Sequence, residues 1–262
     1  MARRRIALSQ NFLHDPAAVR LLVRTARIRP GDLIVEPGAG EGAITRALAR
    51  AAREVVAYEL DPRLAAGLPR RTSAHPNVRV RQGDFVRARP PREPFAVVGS
   101  IPYARTSDIV RWCLDAPALT SATLVTQREY ARKRTGDYGR WTLLTVTTWP
   151  RYAWRLGGRI ARQSFTPVPR TDSAILRLER RTTPLLPPQR LPAYRDFVAH
   201  GFTGTGGSLA ATLAQRHGQR RTTAAFRRLD LAPSTPVGFV PPDQWLALFE
   251  AVDVPPRDVT PV

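Results

Sequence analysis

The residues of this 262-residue chain that could do chemistry begin with a glycine-rich turn. The segment DLIVEPGAGEG (residues 32–42) runs from an apolar stretch through three glycines to the start of a helical pattern. Glycines lack a Cβ and let the backbone approach a ligand closely. The spacing is shorter than the dinucleotide fingerprint, and such a turn can also serve packing alone. We expect the backbone of this turn to approach a ligand closely.

Three acids at the ends of successive apolar runs give this turn a chemical context. Glu36 ends the first run, Glu59 ends the second, and Asp84 follows the third in QGDF. An acid after the second strand accepts hydrogen bonds from ribose hydroxyls, and one after the third can bind the exocyclic amine of adenine. Because ligands bind at the carboxyl edge of an open parallel sheet, we expect these carboxylates to surround one ligand.

The charges of this expected pocket select among nucleotide-like ligands. No Walker-type lysine follows the glycines, so a phosphate cradle is not indicated. Carboxylates repel a pyrophosphate and suit a neutral or cationic nucleoside. S-adenosylmethionine carries an adenosine, a sulfonium and an ammonium group, and it fits these charges better than NAD. A nicotinamide dehydrogenase remains the alternative for this pocket.

The run VVGSIPY (residues 97–103) ends a fourth strand at a proline. Proline cannot continue a strand ladder, and it fixes its own φ. The turn can therefore aim the carbonyl groups of Ser100 and Ile101 into the cleft, with the Tyr103 ring beside them. The acceptors would take the hydrogens of an amino-purine, and the ring would stack on the base. The alternative is a strand-ending turn with Tyr103 as a core aromatic.

Short apolar runs alternate with helical segments over the first two-thirds of the chain. Helical spacing marks residues 16–25, 43–52 and 106–115. This rhythm implies parallel strands with right-handed crossovers, so the predicted fold class is α/β with a doubly wound sheet. The runs with strand character are residues 32–36, 55–60, 78–82, 95–99, 121–127, 143–149 and 173–179.

The composition changes near residue 181. The segment RTTPLLPPQRLP (residues 181–192) holds four prolines in twelve residues, which is typical of a linker. The apolar periodicity beyond it is helical. We predict a ligand-binding catalytic domain over residues 1–181 and a small all-helical domain over residues 182–262.

The net charge of +20, from 41 basic and 21 acidic residues, indicates a polyanionic partner. Nucleic acid fits best, because each phosphate that is neutralised releases counterions. A membrane surface is the weaker alternative, since no basic amphipathic helix with an aromatic face is evident. The single cysteine, Cys113, excludes an intramolecular disulfide and a cysteine metal cluster. Without a long apolar run, the sequence predicts a soluble cytoplasmic protein.

These motifs together resemble those of the ribosomal-RNA adenine N6-methyltransferases, and above all their erythromycin-resistance (Erm) branch. They stand in family order and spacing across most of residues 9–179. The matching pieces are SQNFL (9–13), EPGAGEG (36–42), Glu59, GDF (83–85), IPY (101–103), QREYARK (127–133) and SFTPVPRTDSAIL (164–176). The resemblance implies a seven-stranded, Rossmann-like class I methyltransferase sheet with a helical C-terminal domain. It further implies methyl transfer from S-adenosylmethionine to an adenine N6 in 23S ribosomal RNA, which confers macrolide (MLS) resistance.

The resemblance also assigns roles to positions. Tyr103 and Phe165 would stack on the two faces of the target base, while Ser100 and Ile101 would hold its amine. The prolines after Phe165 favour a stiff, exposed loop over a buried ring. The cofactor-binding positions would be Asn11, Leu13, Gly38, Gly40, Glu59, Asp84 and Ser100.

Ser100 departs from the family pattern, which usually reads Asn-Ile-Pro-Tyr at this place. A serine hydroxyl can accept a hydrogen bond, but it reaches less far than an asparagine carbonyl. Slower turnover, one methylation in place of two, or a bridging water are all open. Activity is still expected, because the carbonyl of Ile101 remains an acceptor.

The RNA side of the resemblance requires an unpaired or flipped adenine. Its candidate contacts are Arg128, Arg132, Lys133 and Arg134, together with Arg3, Arg4 and Arg5. We expect a monomer that needs no membrane and no metal. Two alternatives stay open: a small-subunit (16S) rRNA adenine dimethyltransferase, which more often carries Asn-Leu-Pro-Tyr, and a catalytically weak nucleic-acid-binding factor on the same fold.

Overall fold

The computed structural model describes residues 11–253. Arg3, Arg4 and Arg5, and the first two residues of the SQNFL motif, lie outside this described part. The strands are β1 Phe12–Leu13, β2 Leu33–Pro37, β3 Glu54–Glu59, β4 Val78–Gln82, β5 Phe95–Ser100, β6 Leu119–Gln127, β7 Tyr152–Ile160, β8 Phe165–Thr166 and β9 Ser173–Arg180. The α-helices are α1 Pro16–Ala26, α2 Ala43–Ala49, α3 Pro62–Arg71, α4 Thr106–Asp115, α5 Arg128–Arg134, α6 Leu143–Thr148, α7 Leu191–Gly201, α8 Leu209–His217, α9 Gln219–Arg228 and α10 Pro242–Val252.

Seven of these strands form one sheet with the order β4-β3-β2-β5-β6-β9-β7. The strands from β4 to β6 in this order are parallel to their neighbours, and β9 is antiparallel to β6. The strand order reverses between β2 and β5, where open α/β sheets bind ligands beyond the carboxyl ends of the strands. The predicted α/β, doubly wound, seven-stranded sheet is confirmed.

The local sequence explains the elements at this edge. All five residues of β2 are buried, as expected for an apolar strand covered on both faces. Helix α1 begins where the Asp15 side chain accepts a hydrogen bond from the Ala17 N–H at 2.8 Å. Pro16 occupies its first turn, where the missing N–H costs nothing. The buried face of α1 packs into the core cluster that also contains Ile34 and Val98.

The predicted strand over residues 143–149 is wrong, because Leu143–Thr148 forms α6. The Thr142 hydroxyl caps this helix by accepting a hydrogen bond from a backbone N–H of its first turn. Val146 is fully buried, and its carbonyl accepts a hydrogen bond from the Tyr194 hydroxyl at 3.1 Å. Burial against the C-terminal helices therefore overrides the β-propensity of this Thr- and Val-rich run.

The seventh strand of the sheet is Tyr152–Ile160 instead. Gly157 and Gly158 interrupt its apolar pattern, so the sequence does not reveal it. Both glycines stand where the neighbours leave no room for a side chain. A Cβ at Gly157 would lie 2.8 Å from the Ile175 Cβ, and one at Gly158 would lie 2.7 Å from the Leu21 Cδ2.

The described residues form two compact units. The first holds residues 11–131 and 154–180, and the second holds 132–153 and 181–253. Residues 132–153 were expected in the first domain, but they join the second unit because Val146 packs in its hydrophobic cluster. A domain boundary at 181/182 stays a prediction. Within residues 11–253, every helix is too short or too polar to cross a lipid bilayer.

Candidate active site

The glycine-rich loop after β2 has the backbone shape that only glycine adopts easily. Gly38 and Gly40 have φ values of +73° and +57°, in the left-handed region. The N–H groups of Gly38 and Ala39 both donate to the Tyr58 carbonyl at 2.9 Å. These bonds hold the loop against the end of β3.

Glu59 completes this link between the two strands. Its side chain is 2% exposed. Oε2 accepts a hydrogen bond from the Gly40 N–H at 2.7 Å, and Oε1 accepts one from the Asp61 N–H at 2.8 Å. Two backbone donors thus fix the plane of the carboxylate at the carboxyl edge of the sheet.

Asp84 is held in a similar way after β4. Its Oδ1 accepts a hydrogen bond from the Val86 N–H at 3.2 Å. Its Oδ2 accepts one from the Arg105 Nη2 at 3.3 Å, and the Nε of the same arginine donates to Asp108 at 3.0 Å. Arg105 therefore connects the end of β4 to α4, a connection that the sequence analysis missed.

A cavity of about 160 Å³ lies between these elements. Of the predicted cofactor positions, Gly38, Glu59 and Asp84 line it. Its other lining residues were not predicted, although most of them stand next to a strand-end acid, within the IPY motif or directly after it. They are Pro37, Tyr58, Leu60, Gly83, Phe85, Val86, Pro102, Ala104, Arg105 and Ile109.

The Ser100–Tyr103 turn runs directly beside the glycine loop. A Cβ at Gly38 would lie 3.9 Å from the Ser100 carbonyl oxygen and 4.0 Å from the Pro102 Cδ. Ile101 is buried, and its N–H donates to the Val125 carbonyl at 3.3 Å. The turn is therefore anchored to β6 while its proline ring faces the cavity.

Tyr103 is half-buried and stands at the start of a short 3-10 turn. Its hydroxyl forms a 2.6 Å hydrogen bond with the Ser173 hydroxyl. Burial raises the pKa of Tyr103, and the negative charge of Asp172 adds to the rise, while the hydrogen bond with Ser173 opposes it. The phenol therefore stays protonated at neutral pH.

Of the predicted cofactor-binding positions, Leu13 lies on a two-stranded ribbon. β1 pairs antiparallel with β8, so that Leu13 stands opposite Phe165. The Phe12 ring covers Gly40 so closely that a Cβ there would lie 2.8 Å from its Cδ1. Asn11 is partly exposed just before this ribbon. Phe12 of the SQNFL motif thus lies against the glycine loop, a contact that sequence reasoning missed.

The expected exposure of Phe165 is wrong, because its side chain is only 1% exposed. Its pairing with Leu13 turns the ring into the core cluster that also contains Val19 and Leu22. The residues of the proline-rich loop that follow Phe165 are exposed from Thr166 to Val168, and Val168 is 58% exposed. In this conformation neither face of the Phe165 ring is open to a base.

Glu36 is the third acid of the edge, and it is fully buried. Among the described residues, no hydrogen-bond partner meets its two carboxylate oxygens or the hydroxyl of neighbouring Thr45. Burial raises the pKa of Glu36 to about 8; the negative charge of Glu59 adds to the rise, and the positive charge of Arg46 opposes it. Glu36 does not line the cavity, so the sequence expectation that all three acids surround one ligand is only partly met.

The four predicted RNA-contacting side chains all lie on α5. Arg128 and Lys133 are exposed. Arg132 forms an ion pair with Asp137 and stacks over the Tyr138 ring at 3.9 Å. The remaining member, Arg134, donates from Nη1 to the Thr142 hydroxyl at 2.9 Å.

Within residues 11–253, no cluster of three or more His, Cys, Asp or Glu side chains could hold a metal ion.

Comparison with known proteins identifies the family. The family described as "Ribosomal RNA adenine dimethylase" matches residues 1–253. An rRNA methyltransferase of Streptomyces thermotolerans is 53% identical over 248 residues, covering 95% of this chain and 83% of the relative. An rRNA adenine N-6-methyltransferase of Streptomyces fradiae is 53% identical over 252 residues, covering 95% of this chain and 79% of the relative.

Solved structures agree with these relatives. The 23S rRNA methyltransferase ErmE superimposes with a TM-score of 0.91 at 49% identity, covering 93% of this chain and 100% of that one. A dimethyladenosine transferase from Plasmodium falciparum has a TM-score of 0.75 at 19% identity, with coverages of 93% and 98%, and so shares the fold. The order of the motifs, the sheet and the relatives agree: the chain belongs to the ribosomal RNA adenine dimethylase family of methyltransferases, in its Erm-type branch.

Proposed function

We propose that this chain transfers a methyl group from S-adenosylmethionine to the exocyclic N6 of an unpaired or flipped adenine in 23S ribosomal RNA, and that this methylation confers macrolide resistance. The observation that carries the proposal is the cavity beside the glycine loop, where the carboxylates of Glu59 and Asp84 face the Pro102 turn. The 49% identity to the 23S rRNA methyltransferase ErmE supports the choice of RNA. The mycinamicin-resistance protein MyrB of Micromonospora griseorubida, 37% identical over 92% of this chain, supports the resistance role.

The residues around the cavity fit S-adenosylmethionine by charge and by space. Two carboxylates and no basic side chain other than Arg105 line it, and Arg105 is already held by Asp84 and Asp108. Because Gly38 has no Cβ, space is left beside the Ser100 carbonyl oxygen. When bound, the cofactor supplies an electrophilic methyl group on a sulfonium.

Backbone N–H groups fix both carboxylates at the edge of the sheet. Each oxygen of Glu59 accepts a hydrogen bond from a backbone N–H, and the Oδ1 of Asp84 accepts one from the Val86 N–H. Glu59 would hold the ribose hydroxyls and Asp84 the adenine amine. The further positions that would contact the cofactor are Asn11, Leu13, Gly38, Gly40 and Ser100.

The Ser100–Tyr103 turn would orient the target adenine. The carbonyl oxygens of Ser100 and Ile101 would accept the two hydrogens of N6 and favour a pyramidal nitrogen with a localised lone pair. The Tyr103 ring would stack on one face of the base, which fixes the angle of attack. Stacking by Phe165 on the other face stays a prediction, since its ring would first have to leave the core.

Proton removal needs no strong base in this scheme. The N6 hydrogens would become acidic as nitrogen forms its bond to the methyl carbon, and a water molecule would take one of them directly from N6. The reach of the Ser100 hydroxyl would decide between one and two methylations. We further propose that the protein acts as a monomer, without metal, in the cytoplasm where ribosomal RNA is found.

Expression in a macrolide-sensitive bacterium tests the proposal. We expect increased resistance to macrolides and a methylated adenine that primer extension maps to 23S rRNA, both lost with Tyr103→Ala. Methylation that maps to 16S rRNA would identify a small-subunit adenine dimethyltransferase instead. Cofactor binding without methylation of either RNA would indicate a nucleic-acid-binding factor.

A further inference from the structure

The hydroxyl of a buried serine on another strand forms a hydrogen bond with the hydroxyl of Tyr103, the proposed stacking residue. The Tyr103 hydroxyl lies 2.6 Å from the Ser173 hydroxyl. Ser173 is the first residue of β9, and Tyr103 follows the end of β5. Because β6 lies between these strands in the sheet, the bond spans β6 at the carboxyl edge.

Ser173 is held firmly enough to act as a fixed point. It is fully buried, and it pairs with Gln127 at the end of β6. The preceding residue, Asp172, accepts a hydrogen bond from the Arg128 N–H through its carbonyl at 3.0 Å. Its carboxylate accepts one from the Arg159 Nη2 at 2.6 Å.

Tyr103 is held less firmly than its partner. It belongs to a three-residue 3-10 turn, and its backbone is not part of the sheet ladder. The residue is half-buried, so the orientation of the ring depends on the hydrogen bond that its hydroxyl makes. Both hydroxyl groups are neutral: a serine hydroxyl does not ionise near neutral pH, and burial raises the pKa of Tyr103. Their contact is an ordinary neutral hydrogen bond of short length.

We infer that Ser173 is a positioning residue for methyl transfer: its hydroxyl anchors the Tyr103 hydroxyl and so sets the direction in which the ring face meets the target adenine. This inference rests on the proposed function of Tyr103 as the stacking surface. A stacked base must present its amine at a fixed angle, so loss of the anchor should act on the chemical step more than on binding of the cofactor.

A double-mutant cycle between the two hydroxyls tests the inference. We expect Ser173→Ala and Tyr103→Phe each to lower kcat for RNA methylation about 3- to 10-fold, the range that corresponds to one neutral hydrogen bond. Affinity for S-adenosylhomocysteine should not change. The double variant should be no slower than the slower single variant, because both substitutions remove the same bond.

Ser121→Ala is the matched control. Ser121 is also a buried serine of the sheet, but it lies near the start of β6, at the opposite edge. We expect it to leave kcat unchanged. Two results would overturn the inference. One is a double variant in which the losses of kcat from Ser173→Ala and Tyr103→Phe multiply, and the other is a Ser173→Ala enzyme with wild-type kcat.

A spectroscopic readout separates this inference from the proposed function. In protein with 13C-labelled tyrosine rings, the Tyr103 signals can be assigned through Tyr103→Phe. We expect Ser173→Ala to shift and broaden them, and Ser121→Ala to leave them in place. If the wild-type chain methylates no ribosomal RNA, the proposed function fails while this spectrum still reports the anchor. Unchanged Tyr103 signals in Ser173→Ala would refute the anchor itself.

Discussion

The backbone N–H of Gly40 donates a 2.7 Å hydrogen bond to the Oε2 of Glu59, the acid that ends β3. The other oxygen of this carboxylate accepts the Asp61 N–H. One buried side chain therefore shapes the glycine loop and places a carboxylate at the carboxyl edge of the sheet. If Glu59 holds the ribose as proposed, loop shape and ligand recognition are coupled through this residue.

Glu59→Gln should weaken cofactor binding and stability together. An amide nitrogen cannot accept a hydrogen bond, so either Gly40 or Asp61 would keep an unpaired buried N–H, at a cost of about 1–3 kcal/mol. We expect at least a tenfold loss of affinity for S-adenosylhomocysteine by calorimetric titration, and a lower free energy of unfolding in urea. Glu93→Gln is the control, because Glu93 is an exposed acid paired with Arg53. Equal behaviour of the two variants would contradict the coupling.

Gly40→Ala should displace Phe12. The new Cβ would clash with the Phe12 ring, 2.8 Å away. The alanine would also be strained, because the φ at this position is +57°. Strain in the left-handed region alone costs about 1–2 kcal/mol, and the clash adds about 1–3 kcal/mol. Gly139→Ala isolates the strain, since Gly139 has a φ of +67° and open space around it. Unfolding in urea should show a larger loss for Gly40→Ala, and cofactor affinity should fall for that variant alone.

Glu36 should make stability depend on pH in a defined window. Its pKa is about 8 in the folded protein and near its ordinary value of 4.5 when unfolded. Between these values the unfolded chain loses this proton and the folded chain keeps it, so the free energy of unfolding falls as the pH rises. The contribution is complete below pH 4.5 and lost above pH 8, with a span on the order of 5 kcal/mol.

Glu36→Gln should remove this titration. We expect the stability of the variant relative to the wild type to rise between pH 5 and pH 8.5 in urea unfolding curves. Glu41→Gln, at an exposed acid of the same loop, should retain the wild-type slope. Parallel pH profiles for the wild type and Glu36→Gln would rule out a buried neutral acid at this position.

Arg128→Ala should reduce the salt dependence of RNA binding. The Arg128 side chain is exposed at the start of α5, and one lost phosphate contact lowers the slope of log K against log salt by about 1. Arg53→Ala removes the same charge at the start of β3, the opposite edge of the sheet. Filter binding of a 23S rRNA fragment at several salt concentrations compares the two. A slope that neither variant changes would leave Arg128 outside the RNA contact.

Local patterns in the sequence were enough to predict the sheet and much of the site. Short apolar runs marked the parallel strands, and the acids and glycines at their ends marked the carboxyl edge. The order of residues is sufficient there because a parallel sheet brings successive strand ends to one edge. The sequence therefore predicted that one edge of the sheet carries Gly38, Glu59, Asp84 and the IPY turn.

Tertiary packing decided what local patterns could not. Residues 143–149 have the composition of a strand, yet they form a helix because Val146 is buried against Tyr194. Phe165 precedes a proline-rich stretch that suggests an exposed loop, yet its pairing with Leu13 turns the ring into the core. In both cases the deciding partner is far away in the chain, and local propensity carries no information about it.

The sequence alone determined the fold class, the edge of the sheet that carries the site and the chemistry of its acids, because each depends on residue type and near-neighbour spacing. Only the tertiary structure decided that Gly40 bonds to Glu59, that Phe12 covers Gly40 and that Ser173 meets Tyr103. Those contacts join segments that the chain keeps apart, and they exist only once the sheet has brought the segments together.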